Sequence, residues 1–250
     1  MPVNSLSLLP LGRCLVDNSM LDTRQKPGQL TNLPIWSYLI ETPSGPILID
    51  TGMPDFCIDN QDLFRQPDGS AQIVPIMTAE DTITKALNRA GYQPEDLRFV
   101  ISTHWHFDHA GGNTHFKNTE IVVQRAEYQA AMEGEGYPDV CRDPDLHYRI
   151  IEGDVELAPG VQVLFTPGHS HGHQSVFVET KQSGPLLLTI DASYYRGNYE
   201  EGVPFAGVSN SAMVHSIAKL RDVAKASGAF VFFGHDTEQE KQVRVFPERY

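Results

Sequence analysis

Apolar residues in this chain gather in short runs rich in β-branched side chains. They fall at 35–40, 47–49, 97–101, 121–123, 161–165, 176–178, 186–190 and 230–233. Gly, Pro, Asn or Asp bounds each run, so each is expected to be a strand. Two stretches repeat apolar residues at helical spacing instead. In the first, Ile83, Ala86, Leu87 and Ala90 fall on one face. Thr78 and Asp81 precede them at capping-box spacing, and Gly91 follows as a stop. In the second, Met213, Ile217, Leu220 and Ala224 stripe a helix expected over 211–227, with Gly228 behind it. A shorter helix is expected over 125–132. The mixture predicts an α/β fold of two β-sheets covered by helices.

An internal echo sharpens this picture. Gly45-Pro46-Ile47-Leu48-Ile49-Asp50 and Gly184-Pro185-Leu186-Leu187-Leu188-Thr189-Ile190-Asp191 share one pattern. Each reads as a turn, a buried strand and then an aspartate at the strand's end. The echo predicts two related β-rich halves, and the chain is read as one domain over 1–250.

Composition changes the picture mainly by exclusion. The 250 residues are 40% hydrophobic and 20% charged, which is ordinary for a globular chain. Nineteen basic against 32 acidic residues leave a charge of −13. That balance disfavours a nucleic-acid partner, which needs a positive field. No apolar run approaches the roughly 18 residues that span a bilayer, so no membrane association is expected. Cys14, Cys57 and Cys141 are odd in number and far apart. They read as buried thiols, and with no secretory pattern at the N-terminus the expected compartment is the cytoplasm.

The chemistry lies in the histidines. Seven of the ten occupy two windows, 104–115 and 169–173. The first holds His104-Trp105-His106-Phe107-Asp108-His109 directly after a buried strand. In extended chain His104 and His106 point the same way and can share one metal. Asp108 and His109, past the turn, can face a second. The other window, Pro167-Gly168-His169-Ser170-His171-Gly172-His173, also follows a strand. His169, nearest the strand end, is the first choice there, with His171 and His173 read as loop residues or as supports behind the ligands. Two further apolar runs end at Asp191 and at His235. These seven residues form a nitrogen and oxygen donor set without thiolates. Such a set suits zinc and also iron, cobalt or manganese.

The sequence resembles the metallo-β-lactamase superfamily, and more narrowly the Bacillus-type N-acyl homoserine lactonases. The His104–Asn113 stretch carries the wider resemblance. Leu188-Thr189-Ile190-Asp191-Ala192-Ser193-Tyr194 and Val203-Pro204-Phe205-Ala206-Gly207 carry the narrower one. The resemblance implies an αβ/βα four-layer sandwich with a metal site at one edge. It implies two divalent ions, zinc before iron or cobalt. His104, His106 and His169 would hold the first; Asp108, His109 and His235 the second; Asp191 would bridge them. It further implies quorum-quenching hydrolysis, with hydroxide formed between the metals opening the lactone of an acyl homoserine. Tyr194 would bind the lactone, and Asp108 would pass a proton to the leaving group. One departure is local: His171 stands where the family has proline.

An acyl tail would need an apolar groove. Met20, Leu21, Phe64, Ile73 and Phe107 are candidates because they fall in stretches that read as loop. Ala206 and Gly207 are expected to offer backbone groups to the substrate amide. The 15–35 region, also read as loop, is the candidate contact for a homodimer. Two rival activities use the same scaffold. A glyoxalase II-like thioesterase would want a basic cluster for glutathione, which is missing. An iron oxidoreductase would want glutamate at His106.

Overall fold

A computed structural model describes residues 2–61, 72–134 and 137–250. Among these residues twelve strands form two sheets. The first sheet contains β1 (Ser5–Asp17), β2 (Leu30–Thr42), β3 (Gly45–Ile49), β4 (Ile73–Ile76), β5 (Phe99–Ile101), β6 (Ile121–Gln124) and β7 (Tyr148–Ile151). Its order is β4-β1-β2-β3-β5-β6-β7. The second contains β8 (Val155–Ala158), β9 (Val161–Phe165), β10 (Gln174–Thr180), β11 (Gly184–Leu188) and β12 (Phe230–Phe232), in the order β12-β11-β10-β9-β8. The helices are α1 (Asn18–Leu21), α2 (Ile83–Arg89), α3 (Phe107–Ala110), α4 (Arg125–Glu133), α5 (Arg196–Glu201), α6 (Asn210–Ser227) and α7 (Thr237–Glu240).

Side-chain alternation builds the layers. On β3, Ile47 and Ile49 face Val163, Val176, Leu186 and Leu188 of the other sheet in one buried cluster. Leu48 points the opposite way, into a second cluster with Ile83, Ala86 and Leu87 of α2 and Ala131 of α4. Leu187, between Leu186 and Leu188, packs outward with Leu220 of α6. Period-two strands therefore bury both faces of each sheet. The result is the four-layer αβ/βα sandwich, helices outside and sheets inside.

The echo between the halves is structural. β3 lies antiparallel to β2 and parallel to β5. β11 lies antiparallel to β10 and parallel to β12. Each strand ends at an aspartate beside a left-handed residue: Asp50 itself has φ 60°, and Ile190, before Asp191, has φ 50°. The two carboxylates thus arrive at the same edge of the sandwich, where the loops after β5, β9 and β12 also converge.

Several boundaries differ from the sequence expectation. The longest surprise is β1, thirteen residues that contain Pro10 and Gly12. A register shift between Pro10 and Arg13 absorbs both. Gly12 takes φ 89°, and a Cβ there would lie 2.8 Å from the Ile76 carbonyl oxygen. A bulge of this kind hides a strand from pattern reading. The Thr78–Asp81 capping box exists, but it caps a 3₁₀ turn, and α2 starts only after Thr82. The 15–35 region is a loop only over 22–29; the rest is the end of β1, α1 and the start of β2. Ile73 likewise sits on β4, and Met20 on α1.

Candidate metal centre

The strand β5 runs buried to Ile101 and then releases His104 and His106 before α3 begins. Asp108 and His109 are on α3 itself. His169 follows β9, Asp191 follows β11 in a 3₁₀ turn, and His235 follows β12. Five loops and short helices from both halves therefore deliver the seven candidate donors to one place.

The donors sort into sets. His104, His106 and His169 place ligand atoms within 4.8 Å of one another. So do Asp108, His109 and His235. Asp191 lies between the two sets. Its Oδ2 is 3.7 Å from His104 Nε2 and 3.3 Å from His169 Nε2. Its Oδ1 is 3.4 Å from His109 Nε2 and 3.0 Å from His235 Nε2. One carboxylate thus presents one oxygen to each set. His104 Nε2, His109 Nε2, His169 Nε2 and Asp191 Oδ1 are buried and make no hydrogen bond among the described residues. Buried polar atoms without partners are costly, and four converging on one point fit a cation pair.

The outward nitrogens are committed elsewhere. His109 Nδ1 is 2.8 Å from Asp50 Oδ2, His235 Nδ1 is 2.8 Å from the Pro34 carbonyl, and His169 Nδ1 is 3.0 Å from the Ala206 carbonyl. Each Nδ1 must donate to these acceptors, which leaves Nε2 with its lone pair turned inward. His104 is held through a relay. Thr103 gives its hydroxyl proton to Asp50 at 2.8 Å, so its oxygen accepts from His104 Nδ1 at 3.1 Å.

Electrostatics follow from burial. Desolvation holds His104 and His106 well below the usual imidazole range, and neighbouring histidines add to it. Burial opposes charge on His109 too, but Asp191, Asp108 and Asp50 outweigh it and raise that imidazole well above its usual value. Burial, then Asp191 and Asp108, pushes the Tyr194 phenol well above 10. Tyr194 therefore stays protonated and able to donate. Its ring packs 4.3 Å from Phe205 and 5.3 Å from His235 by centroids.

A cavity of about 450 Å³ opens above the donors. His106, Asp108, His169, Asp191 and His235 form its floor, and Tyr194 its side. Met20, Ile73, Phe107, Ala206 and Gly207 line the walls, joined by Val16, Ile35 and Val208. Two expectations need correction. Leu21 faces a neighbouring cavity of about 410 Å³, beyond Tyr194 and His235, because α1 turns consecutive side chains apart. Ala206 is a brace rather than a free amide: its N–H donates to Met20 O at 2.9 Å while its carbonyl holds His169. Phe64 lies outside the described residues.

Comparison with known proteins places this arrangement. The family model described as the metallo-beta-lactamase superfamily matches residues 30–235. The chain belongs to the metallo-beta-lactamase superfamily. Within that superfamily it is 54% identical over 248 residues to N-acyl homoserine lactonase AiiA of Bacillus thuringiensis subsp. kurstaki, covering 99% of both chains. It is 32% identical to N-acyl homoserine lactonase AttM of Rhizobium johnstonii, covering 95% of this chain and 94% of that one. A solved N-acyl homoserine lactone hydrolase with N-hexanoyl-L-homoserine bound at its catalytic metal center superposes with a TM-score of 0.97. It shares 54% identity and full coverage of both chains.

Two residues of this metallo-beta-lactamase site, Asp50 and Glu127, escaped the sequence reading, and His173 takes the supporting place that reading allowed it. Asp50 takes the Thr103 N–H, the Thr103 hydroxyl and His109, so it orients ligands that follow the neighbouring strand β5 of its own half. The echo with Asp191 was its signal. His173 is buried behind Asp191, whose N–H donates to His173 Nε2 at 3.0 Å. Burial pushes His173 down to about 3, so it stays a neutral acceptor. Glu127 had no sequence signal beyond its place on a short helix. His171 is exposed.

Proposed function

We propose that this protein is a dinuclear-metal hydrolase that opens the lactone ring of N-acyl homoserine lactones. The observation that carries the reading is Asp191, which turns one oxygen to each of two histidine sets directly beneath a largely apolar cavity. Near-complete alignment with named lactonases supports the substrate class. In this reading His104, His106 and His169 hold one ion, Asp108, His109 and His235 the other, and Asp191 bridges. Zinc suits the donors, with iron or cobalt compatible.

Divalent cations held there would act as Lewis acids on the carbonyl and bring the pKa of water toward neutrality. The rest falls to side chains. Tyr194, kept protonated, donates its hydroxyl to the lactone carbonyl oxygen as negative charge develops there. Asp108 turns Oδ2 toward His109 and His235 at 3.6 and 3.8 Å. Its other oxygen would take the proton given up by the water that adds to the carbonyl carbon and hand it to the ring oxygen as the ring C–O bond breaks. Met20, Ile73 and Phe107 would cover the acyl tail and keep bulk water from the floor. The product is an N-acyl homoserine.

We read the chain as one domain over 1–250, since one apolar cluster draws on both sheets. Its three free, buried thiols support a reducing, cytoplasmic setting. No helix among the described residues is long and apolar enough to cross a membrane. A homodimer through the 15–35 region is part of the reading, with Leu30 exposed there; sedimentation at two concentrations tests it. The main test is a paired assay of an acyl homoserine lactone and a glutathione thioester on one metal-analysed sample. Lactone opening is expected. Turnover of the thioester alone would replace this reading with the glyoxalase II-like one.

A further inference from the structure

We infer that Glu127 is a positioning residue that sets the His104, His106 and His169 group in register before any ion arrives. The inference rests on reading that group as a metal site. Glu127 is on α4, wholly buried, and belongs to none of the ligand sets. Its Oε1 accepts the Trp105 N–H at 2.8 Å. Its Oε2 accepts the Ser170 hydroxyl at 2.7 Å and the Gly172 N–H at 2.7 Å.

The sequence positions of these donors make the case. Trp105 sits between His104 and His106, and Ser170 directly follows His169. One carboxylate therefore ties together two loops that come from different sheets and jointly supply three imidazoles. A buried carboxylate is costly unless hydrogen bonds satisfy it. Here both oxygens draw their donors from the ligand loops, so the loops cannot drift apart without stranding it. Closer to the strands, Gln174 donates its N–H to Thr103 O at 3.0 Å and its side chain to Ser102 O at 2.9 Å. Glu127 closes the same seam farther out.

Gly172 is shaped for this contact. A Cβ there would lie 2.2 Å from Glu127 N and 2.5 Å from Glu127 Cβ. Only glycine lets the second loop come this close. The other ligand set does not touch Glu127; Asp50 holds its His109 and Pro34 its His235. Loss of Glu127 should therefore act on one set and spare the other.

Glu127→Gln is the informative change. Whichever way its amide lies, the nitrogen faces a backbone N–H, either that of Trp105 or that of Gly172. Neither can rotate away as the Ser170 hydroxyl can. The test measures Co(II) affinity by chelator competition and absorbance in two backgrounds. His235→Ala leaves the His104/His106/His169 set whole, and His169→Ala leaves the Asp108/His109/His235 set whole. Glu127→Gln should weaken Co(II) binding about 10- to 100-fold in the first background and leave the second unchanged. Equal weakening in both, or none in either, would overturn the inference. Should Glu127→Gln fail to fold, Ser170→Ala serves in the same backgrounds. It should cost about threefold in the first only; no difference between backgrounds would again overturn it. A parent chain that takes up no Co(II) would instead remove the metal-centre reading, and this inference with it.

Discussion

The floor and the wall of the main cavity are built on opposite principles. The floor is polar, buried and tied down many times over. Asp50 alone accepts three hydrogen bonds that reach His104 and His109, and separate carbonyls hold His169 and His235. The wall is apolar and drawn from β1, α1, β2, β4, α3 and the 206–208 segment. Its side chains rely on packing, which is non-directional and tolerant of repacking. Chemistry that demands fixed geometry thus sits on hydrogen-bonded supports, while the surface that would meet a variable acyl tail is free to change.

The largest expected effect breaks the floor. Asp191→Asn removes one anionic oxygen from between the two histidine sets. Metal analysis should find fewer than two ions per chain, and lactone opening should fall to background. A variant that keeps both ions and full activity would contradict the bridge. Next comes the side of the cavity. Tyr194→Phe should keep both ions yet lower kcat/KM about 10²-fold, the usual cost of one oxyanion donor. An unchanged rate would take Tyr194 out of the reaction.

The wall should answer differently. Phe107→Ala should leave metal content alone and act according to tail length. Long-chain lactones should lose about tenfold in kcat/KM, in keeping with about 1–3 kcal/mol of apolar contact, and short-chain ones much less. An equal loss for all tails would mean that Phe107 supports the floor and not the tail.

The smallest effect concerns the neighbouring cavity, which Asp22 lines. Arg24 holds the Asp22 carboxyl down to about 2 against burial, with the Tyr195 hydroxyl assisting. A depressed pKa contributes stability that is present above the unfolded value, near 3.9, and is lost as pH falls through about 2. Arg24 is half exposed, so solvent screening limits the gain to about 1 kcal/mol. Asp22→Asn should lower stability by that amount near neutral pH, and the gap from the parent should close between about pH 4 and 2. A gap that stays constant over that range would contradict the assignment.

The same contrast decides what the sequence could disclose. Floor ligands such as His104 and His169 are residue types with few other reasons to sit at a buried strand's end, so their spacing announces them. Leu48 and Leu187 announce their layers by alternation alone. Wall residues such as Ile73 and Met20 are indistinguishable from core until the cavity is seen, and Leu21, one residue on, faces a different cavity. β1 was obscured because Pro10 and Gly12 interrupt its pattern, and only the bulge shows why they are tolerated. Glu127 and His173 act through partners more than fifteen residues away in sequence, with Trp105 and Asp191 respectively. No local pattern records such pairings.

The central claim is that two ions on this floor open a lactone. The most direct measurement strips the purified chain of metal, adds zinc in steps and follows ring opening of N-hexanoyl homoserine lactone by proton release. The account predicts no turnover in the stripped chain and a rate that climbs until two equivalents are bound. Undiminished turnover without metal, or a rate complete at one equivalent, would contradict it.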